Sequence, residues 1–320
     1  MYNPFFSIVI PTYCSENYIN NAISSIKKQD FNQWEIVVVD DGSTDSTVDI
    51  VKNIESADSR VKIIESSHKG TQMARYIGMT NAIGKYILFL DSDDVLENQA
   101  LGIIFEILKK YPSDILIIGM KVLYEDGTII TQNEEFETGY IDKIELFEKM
   151  IRDRIVKSLG RKVVSKTLIT SEDSFIVSNI MRYGEDMFQS LQFLARAESI
   201  YFINLPLYVY QIRNNSTMFT FYANKYKDRI MMYNGISYYG KMLGLIDEKL
   251  QKLANYYLLS HVVDCIDEIK ESGLSLQKKE ELYTTIYHYP AISKLLDLRY
   301  ELELTQRQIS VLSQYKDIYE

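Results

Sequence analysis

The stretch WEIVVVDDGSTDSTVDIV, residues 34–51, decides how this chain is read. Its first part, Trp34–Asp40, centres on the β-branched run Ile36–Val39, the composition of a strand buried on both faces. Asp41-Gly42 then supplies turn chemistry, and Ser43, Thr44 or Asp45 can cap a helix. Val48, Val51 and Ile54 give that helix its apolar stripe. One turn duty consumes one carboxylate of the Asp40-Asp41 pair and leaves the other free for a ligand.

The same unit recurs on either side. SIVIP from Ser7, VKIIE from Val61, KYILFLD from Lys85 and DILIIGM from Asp114 are further strand candidates. Their starts lie roughly 25 to 30 residues apart, the period of a βαβ unit. Ile19, Ile23 and Ile26, then Met73, Ile77 and Ala82, then Ile103, Ile107 and Leu108 mark helices between them. The expected fold is α/β: a Rossmann-like, mostly parallel sheet with helices on both faces. After residue 120 the alternation stops. KVLYEDGTII reads as a hairpin about Asp126-Gly127, a helix follows near 142–156, and a mixed stretch runs to about 217. From about 222 the chain reads as helical. The expected division is 1–217, with a nucleotide-binding half 1–120 and an acceptor-binding half 121–217, followed by a helical region 218–320.

Composition narrows the function. At 320 residues, 46% hydrophobic and 25% charged, the chain is an ordinary globular one, long enough for about two domains. Thirty-five Lys and Arg against 44 Asp and Glu give a net charge of -9, which argues against nucleic acid as a partner. Cys14 and Cys265, with His68, His261 and His288, have no metal-ligand spacing, so zinc is not expected. Neither a signal peptide nor a transmembrane segment is expected. The expected location is cytoplasmic, with room for peripheral contact at the inner face of the membrane. The 103 residues from 218 carry 13 of the 25 tyrosines at near-neutral charge, which suits packing and a homo-oligomer interface formed by the C-terminal helices.

Parallel sheets bind ligands at the carboxyl ends of their strands. There the first strand delivers Pro11-Thr12-Tyr13, the second Asp40-Asp41-Gly42, and the fourth Asp91-Ser92-Asp93-Asp94. No GxGxxG follows the first strand and no GxxxxGK[ST] occurs, which removes dinucleotide and P-loop chemistry. Carboxylates about 4 Å apart repel by ~4 kcal/mol at an effective dielectric of 20, and a hard divalent cation relieves that repulsion. The plainer alternative is a solvated loop in which Asp93 or Asp94 caps the next helix.

In order and spacing, SIVIPTY, EIVVVDDGSTD, GTQMARYIG, KYILFLDSDD and RYGEDMF resemble glycosyltransferase family 2 over roughly residues 5–217. The resemblance implies the GT-A fold and inverting transfer from a UDP-sugar donor, assisted by Mn²⁺ or Mg²⁺. The acceptor would be a carbohydrate hydroxyl on a lipid-linked or protein-linked glycan, as in surface polysaccharide synthesis. By that likeness Pro11, Thr12, Asp40, Asp41, Arg75, Asp91 and Ser92 hold the nucleotide-sugar, and Asp93 with Asp91 holds the metal. Asp186 is the catalytic base with Glu185 as its neighbour. Arg213 stands where many members carry histidine and would clamp the diphosphate. Tyr76 replaces the asparagine usual after Ala-Arg. Two other readings are a catalytically silent binding module of the same fold, and a nucleotidyltransferase. The first expects loss of a metal aspartate or the base. The second expects a glycine-rich loop where this chain has TYCSEN.

Overall fold

The computed structural model describes residues 3–131, 136–153, 156–170, 180–212, 221–245 and 248–319. The chain opens with β1 (Phe6–Thr12), α1 (Ile19–Lys27), β2 (Trp34–Asp40), α2 (Thr47–Ala57), β3 (Val61–Glu65), α3 (Thr71–Asn81) and β4 (Tyr86–Phe89). Short β5 (Val95–Leu96), α4 (Ala100–Lys110) and β6 (Ile115–Leu123) follow, and the hairpin returns as β7 (Ile129–Thr131). Then come β8 (Gly139–Tyr140), α5 (Lys143–Arg152), β9 (Lys162–Ser165), α6 (Glu185–Arg196) and β10 (Ile200–Gln211). The rest is helical: α7 (Lys225–Met242), α8 (Glu248–Glu271), α9 (Leu276–Tyr287), α10 (Pro290–Leu295) and α11 (Gln306–Tyr319).

The sheet runs β3-β2-β1-β4-β9-β6-β10-β5. Strands β1 to β4 are mutually parallel, β10 runs parallel to β6, and β9 lies antiparallel between β4 and β6. The expected mostly parallel sheet is therefore present. Strands β9 and β10 fall within what the sequence presented as a mixed stretch. Pro206 and register shifts at Ile203 and Pro206 break the alternation of β10 and hide its period.

Two details concern the opposite ends of the parallel strands. Strand β1 pairs with β4 only as far as Val9–Phe89, while its pairing with β2 continues to Thr12–Asp40. Pro11 therefore lies past the end of β4, where its missing N–H costs no ladder bond. Glu35, buried in β2, is tolerated because it accepts from Ser7 Oγ at 2.6 Å, Ile83 N at 2.7 Å and Lys62 Nζ at 3.2 Å.

Sheet and helices enclose two cores. One packs Phe6, Ile8, Trp34 and Val38 under α1 and α4. On the opposite face, Val9, Phe89 and Ile117 meet α5 and α6, and with them Met232, Ile236, Tyr239, Leu250 and Tyr257. Helix α7 and the first half of α8 thus join the same core as the sheet. The second half of α8 packs with α9 to α11 in a third cluster. Tyr226, Tyr239, Tyr257, Tyr287 and Tyr315 are buried, so packing accounts for these C-terminal tyrosines. Among the described residues no helix is long and apolar enough to cross a membrane.

Helix α3 lies unusually close to the sheet because Gly78 has no side chain. A Cβ there would fall 2.3 Å from Val9 Cγ1 and 3.2 Å from Val39 Cγ2. Gly78→Ala should therefore cost about 1–3 kcal/mol through overpacking, despite the better helix propensity of alanine. Adding Val9→Ala should recover part of that loss. Urea denaturation of the two single variants and the double variant tests the coupling.

Candidate active site

The site assembles where β1, β2 and β4 end. Asp40 turns the chain: its Oδ2 accepts from Gly42 N and Ser43 N, both at 3.0 Å. Asp45 starts α2, with Oδ1 accepting from Thr47 N at 3.0 Å and Oδ2 from Glu16 N at 3.1 Å. Asp41 is not the free carboxylate that the sequence suggested. Its Oδ1 accepts from Lys69 N and its Oδ2 from Gly70 N, each at 2.8 Å. The reason is tertiary: the loop after β3 folds back over the end of β2, so Asp41 fastens the entrance of α3. Two buried oxygens at this strand end, Thr12 Oγ1 and Asp40 Oδ1, have no hydrogen-bond partner among the described residues. Beside them the rings of Tyr13 and His68 lie 4.4 Å apart, both substantially exposed. That rim, which the motifs did not single out, offers a flat apolar face.

Arg75 is the centre of the site. Its position on α3, one turn before Gly78, carries it under the strand ends, where it is only 3% exposed. Its Nη2 donates to Asp91 Oδ1 at 2.8 Å and its Nη1 to Asp186 Oδ1, with Glu185 Oε1 3.8 Å from Nη1. Burial works against its charge, but Asp186, Asp91 and Glu185 more than offset this and raise its pKa above the ordinary arginine value. One guanidinium thus gathers acids from β4's end and from the first turn of α6. Asp186 is fixed further by Leu159 N, which donates to its Oδ2 at 3.1 Å. Glu185, about 21% exposed, is held less closely. Burial, reinforced by the charge of Asp186 and opposed by Arg75, pushes its carboxyl up to about 7.

The Asp91–Asp94 run divides its labour. Asp91 is one-third exposed and keeps Oδ2 clear of the Arg75 bond. Ser92 shares a 2.8 Å hydrogen bond with Ser15, tying this loop to the segment after β1. Asp94 caps no helix: it is buried, accepting from Tyr208 Oη at 2.6 Å and Gln211 N at 2.8 Å. Burial, with Asp91 and Asp93 close by, pushes its carboxyl well above the usual range. The main-chain oxygen of Asp93 accepts from Gln211 Nε2 at 3.0 Å, so β10 orients the loop at two points. Asp91 and Asp93 offer hard carboxylate oxygens of the kind Mn²⁺ or Mg²⁺ prefers. Among the described residues there is no group of three or more His, Cys, Asp or Glu able to hold a metal. An ion on Asp91 and Asp93 would need its remaining ligands from a bound substrate or water. Arg213 lies outside the described residues.

The family model decides the family, and the curated relatives and solved structures are consistent with it. The profile of glycosyl transferase family 2 matches residues 7–168. Glycosyltransferase GlyA of Streptococcus pneumoniae serotype 4 is 29% identical over 220 residues, covering 66% of this chain and 31% of that protein. Poly(ribitol-phosphate) beta-N-acetylglucosaminyltransferase TarS of Staphylococcus aureus (strain Mu50) is 29% identical over 208 residues, 64% of this chain and 35% of TarS. The chain spans about a third of the length of these two relatives. Putative glycosyltransferase EpsH of Bacillus subtilis is 24% identical over 276 residues, with 85% and 80% covered. In fold, the crystal structure of S. aureus TarS 1-349 in complex with UDP-GlcNAc superposes with a TM-score of 0.64. That match has 21% identity and covers 92% of this chain and 83% of that one. The matched region carries the strand ends, Arg75 and the Asp91–Asp94 run, and the chain belongs to glycosyl transferase family 2.

Proposed function

We propose that the protein transfers a sugar from a UDP-sugar to a carbohydrate hydroxyl, with inversion at the anomeric carbon. The observation that carries this reading is the Arg75 cluster, which brings Asp91 to within one guanidinium of Asp186 and Glu185. Donor and acceptor chemistry need such adjacency: one end holds the leaving diphosphate and the other removes a proton. Uridine as the base draws support from TarS, whose structures are described as complexes with UDP and UDP-GlcNAc. The unpartnered oxygens of Thr12 and Asp40 would meet the nucleoside, with Tyr13 and His68 along its face.

In the proposed reaction the acceptor oxygen attacks C1 of the sugar as the C1–O bond to the diphosphate breaks. The acceptor proton passes to a carboxylate at the start of α6, and UDP leaves with the bonding pair. Asp186 is the proposed base, aimed by Arg75 and by Leu159 N. A metal ion on Asp93 and Asp91 would neutralise charge on the diphosphate. The acceptor is proposed to be a lipid-linked or protein-linked glycan. Glu185 supplies a second reading of the base, because a carboxyl titrating near 7 is well matched to proton removal at neutral pH.

Asp186→Asn should lower turnover by something like 10²- to 10⁴-fold, with UDP affinity within a few-fold of the unaltered protein. Calorimetry beside a product assay checks this, and normal turnover would pass the role to Glu185. Asp93→Asn should abolish the part of UDP affinity that Mn²⁺ or Mg²⁺ adds. Equal UDP binding with and without chelator in the unaltered protein would remove the metal from the reading.

Glu185 also makes a stability prediction. The folded protein holds this proton to about pH 7, whereas an unfolded chain releases it near the ordinary glutamate value. Between those limits the folded state binds more protons, so this contribution to stability is present at low pH and lost as pH rises through 7. Glu185→Gln should remove that loss. Melting curves from pH 5 to 8 should show the variant gaining on the unaltered protein as pH increases.

A further inference from the structure

Beside the first turn of α6 lies a cavity of about 500 Å³ that the Arg75 cluster does not use. Tyr183 and Gly184 line it on one side, Lys225 and Arg229 of α7 on another, and Asp264, Asp267 and Glu268 of α8 on a third, with Lys157 beside them.

Its charges are largely matched and Arg229 is the exception: Asp267 pairs with Arg307 Nη2 at 2.6 Å, and Asp264 adds only a longer-range attraction for Arg229. Lys225 Nζ and Glu268 Oε1 form an ion pair at 2.5 Å. Arg229 Nη1 donates a long bond, 3.3 Å to Tyr257 Oη, and among the described residues the buried Arg229 Nε meets no hydrogen-bond partner. Among the described residues no carboxylate lies within ion-pair distance of it. Its guanidinium nevertheless sits against α6: a Cβ on Gly184 would lie 3.3 Å from Arg229 Nη1. Gly184 also has φ of +93°, a conformation glycine adopts without strain. A cation therefore faces the end of a helix where backbone N–H groups lack intrahelical partners. The acids of that turn, Glu185 and Asp186, are engaged by Arg75. Two positive groups converging on one cavity are the complement of an anion. Asp264 can accept from hydroxyl groups beside it, and the partly buried ring of Tyr183 lies along the lining.

We propose that this cavity is a second acceptor subsite, which seats a hydroxyl-bearing unit carrying a phosphate or carboxylate next to the unit being glycosylated. This rests on the reading of α6 as the acceptor-side element. It adds that the acceptor is anionic and that Arg229 selects it.

The test uses the full chain saturated with UDP, so that phosphate cannot enter the donor site. Calorimetric titrations with sn-glycerol 3-phosphate, methyl β-D-glucuronide and neutral methyl β-D-glucoside separate phosphate, carboxylate and uncharged ligands. At least one anion should bind tenfold or more tightly than the glucoside. Arg229→Gln should erase that preference, with UDP titration as the folding control. Arg229→Lys keeps the buried charge and should hold the anion several-fold more weakly, which separates loss of the site from loss of the fold. Equal binding of all three ligands overturns the proposal, as does an anion preference that survives in Arg229→Gln. Since binding is read without turnover, anion binding without any sugar transfer would count against the catalytic reading alone. Sugar transfer without anion preference would count against the cavity alone.

Discussion

A buried guanidinium shared among three carboxylates is the constraint on which this molecule turns. Removing Arg75 from water is costly, and only charged partners at short range make it tolerable. Those partners come from β4's end and from α6, 16 and about 110 residues further along the chain. Once Arg75 is in place, each acid is steered and none is left to repel the others unchecked. The reverse also holds: without Arg75, three acids at close range would push the β4 loop and the start of α6 apart. The approach of α3 to Val9 and the Asp41 grip on Lys69 and Gly70 both serve to deliver this one side chain.

Much of this was legible in the residues. Apolar β-branched runs such as Ile36–Val39 point to strands covered on both faces, and their spacing to a parallel order. Asp91, Asp93, Glu185 and Asp186 stood out because clustered acids at element ends need a reason. Their partners did not stand out. That Asp41 would be spent on two backbone amides depends on where the loop after β3 lands, and no local pattern encodes that. Asp94 looked like a third surface acid. Its burial follows from Tyr208 and Gln211 arriving on β10, a strand whose own period Pro206 conceals. Arg229 carried no motif at all. Only the juxtaposition of α7 with Gly184 gives it meaning.

The organisation of the cores bears on how the helical region relates to the sheet. Met232, Ile236 and Tyr239 of α7 pack in the same apolar cluster as Phe89 and Phe188. Helix α7 therefore acts as a wall of the site-bearing half as well as the beginning of the helical part. The expected division near 217 marks a change of secondary structure, and the packing runs across it.

Helix α8 carries the point further. From Leu250 to Tyr257 its buried side chains belong to the core beneath the sheet, and from Leu258 to Ile269 to the core of the terminal helices. A single rod of 24 residues is thus anchored at each end in a different apolar mass. Neither mass can loosen without fraying a helix the other needs, which couples the stability of the two.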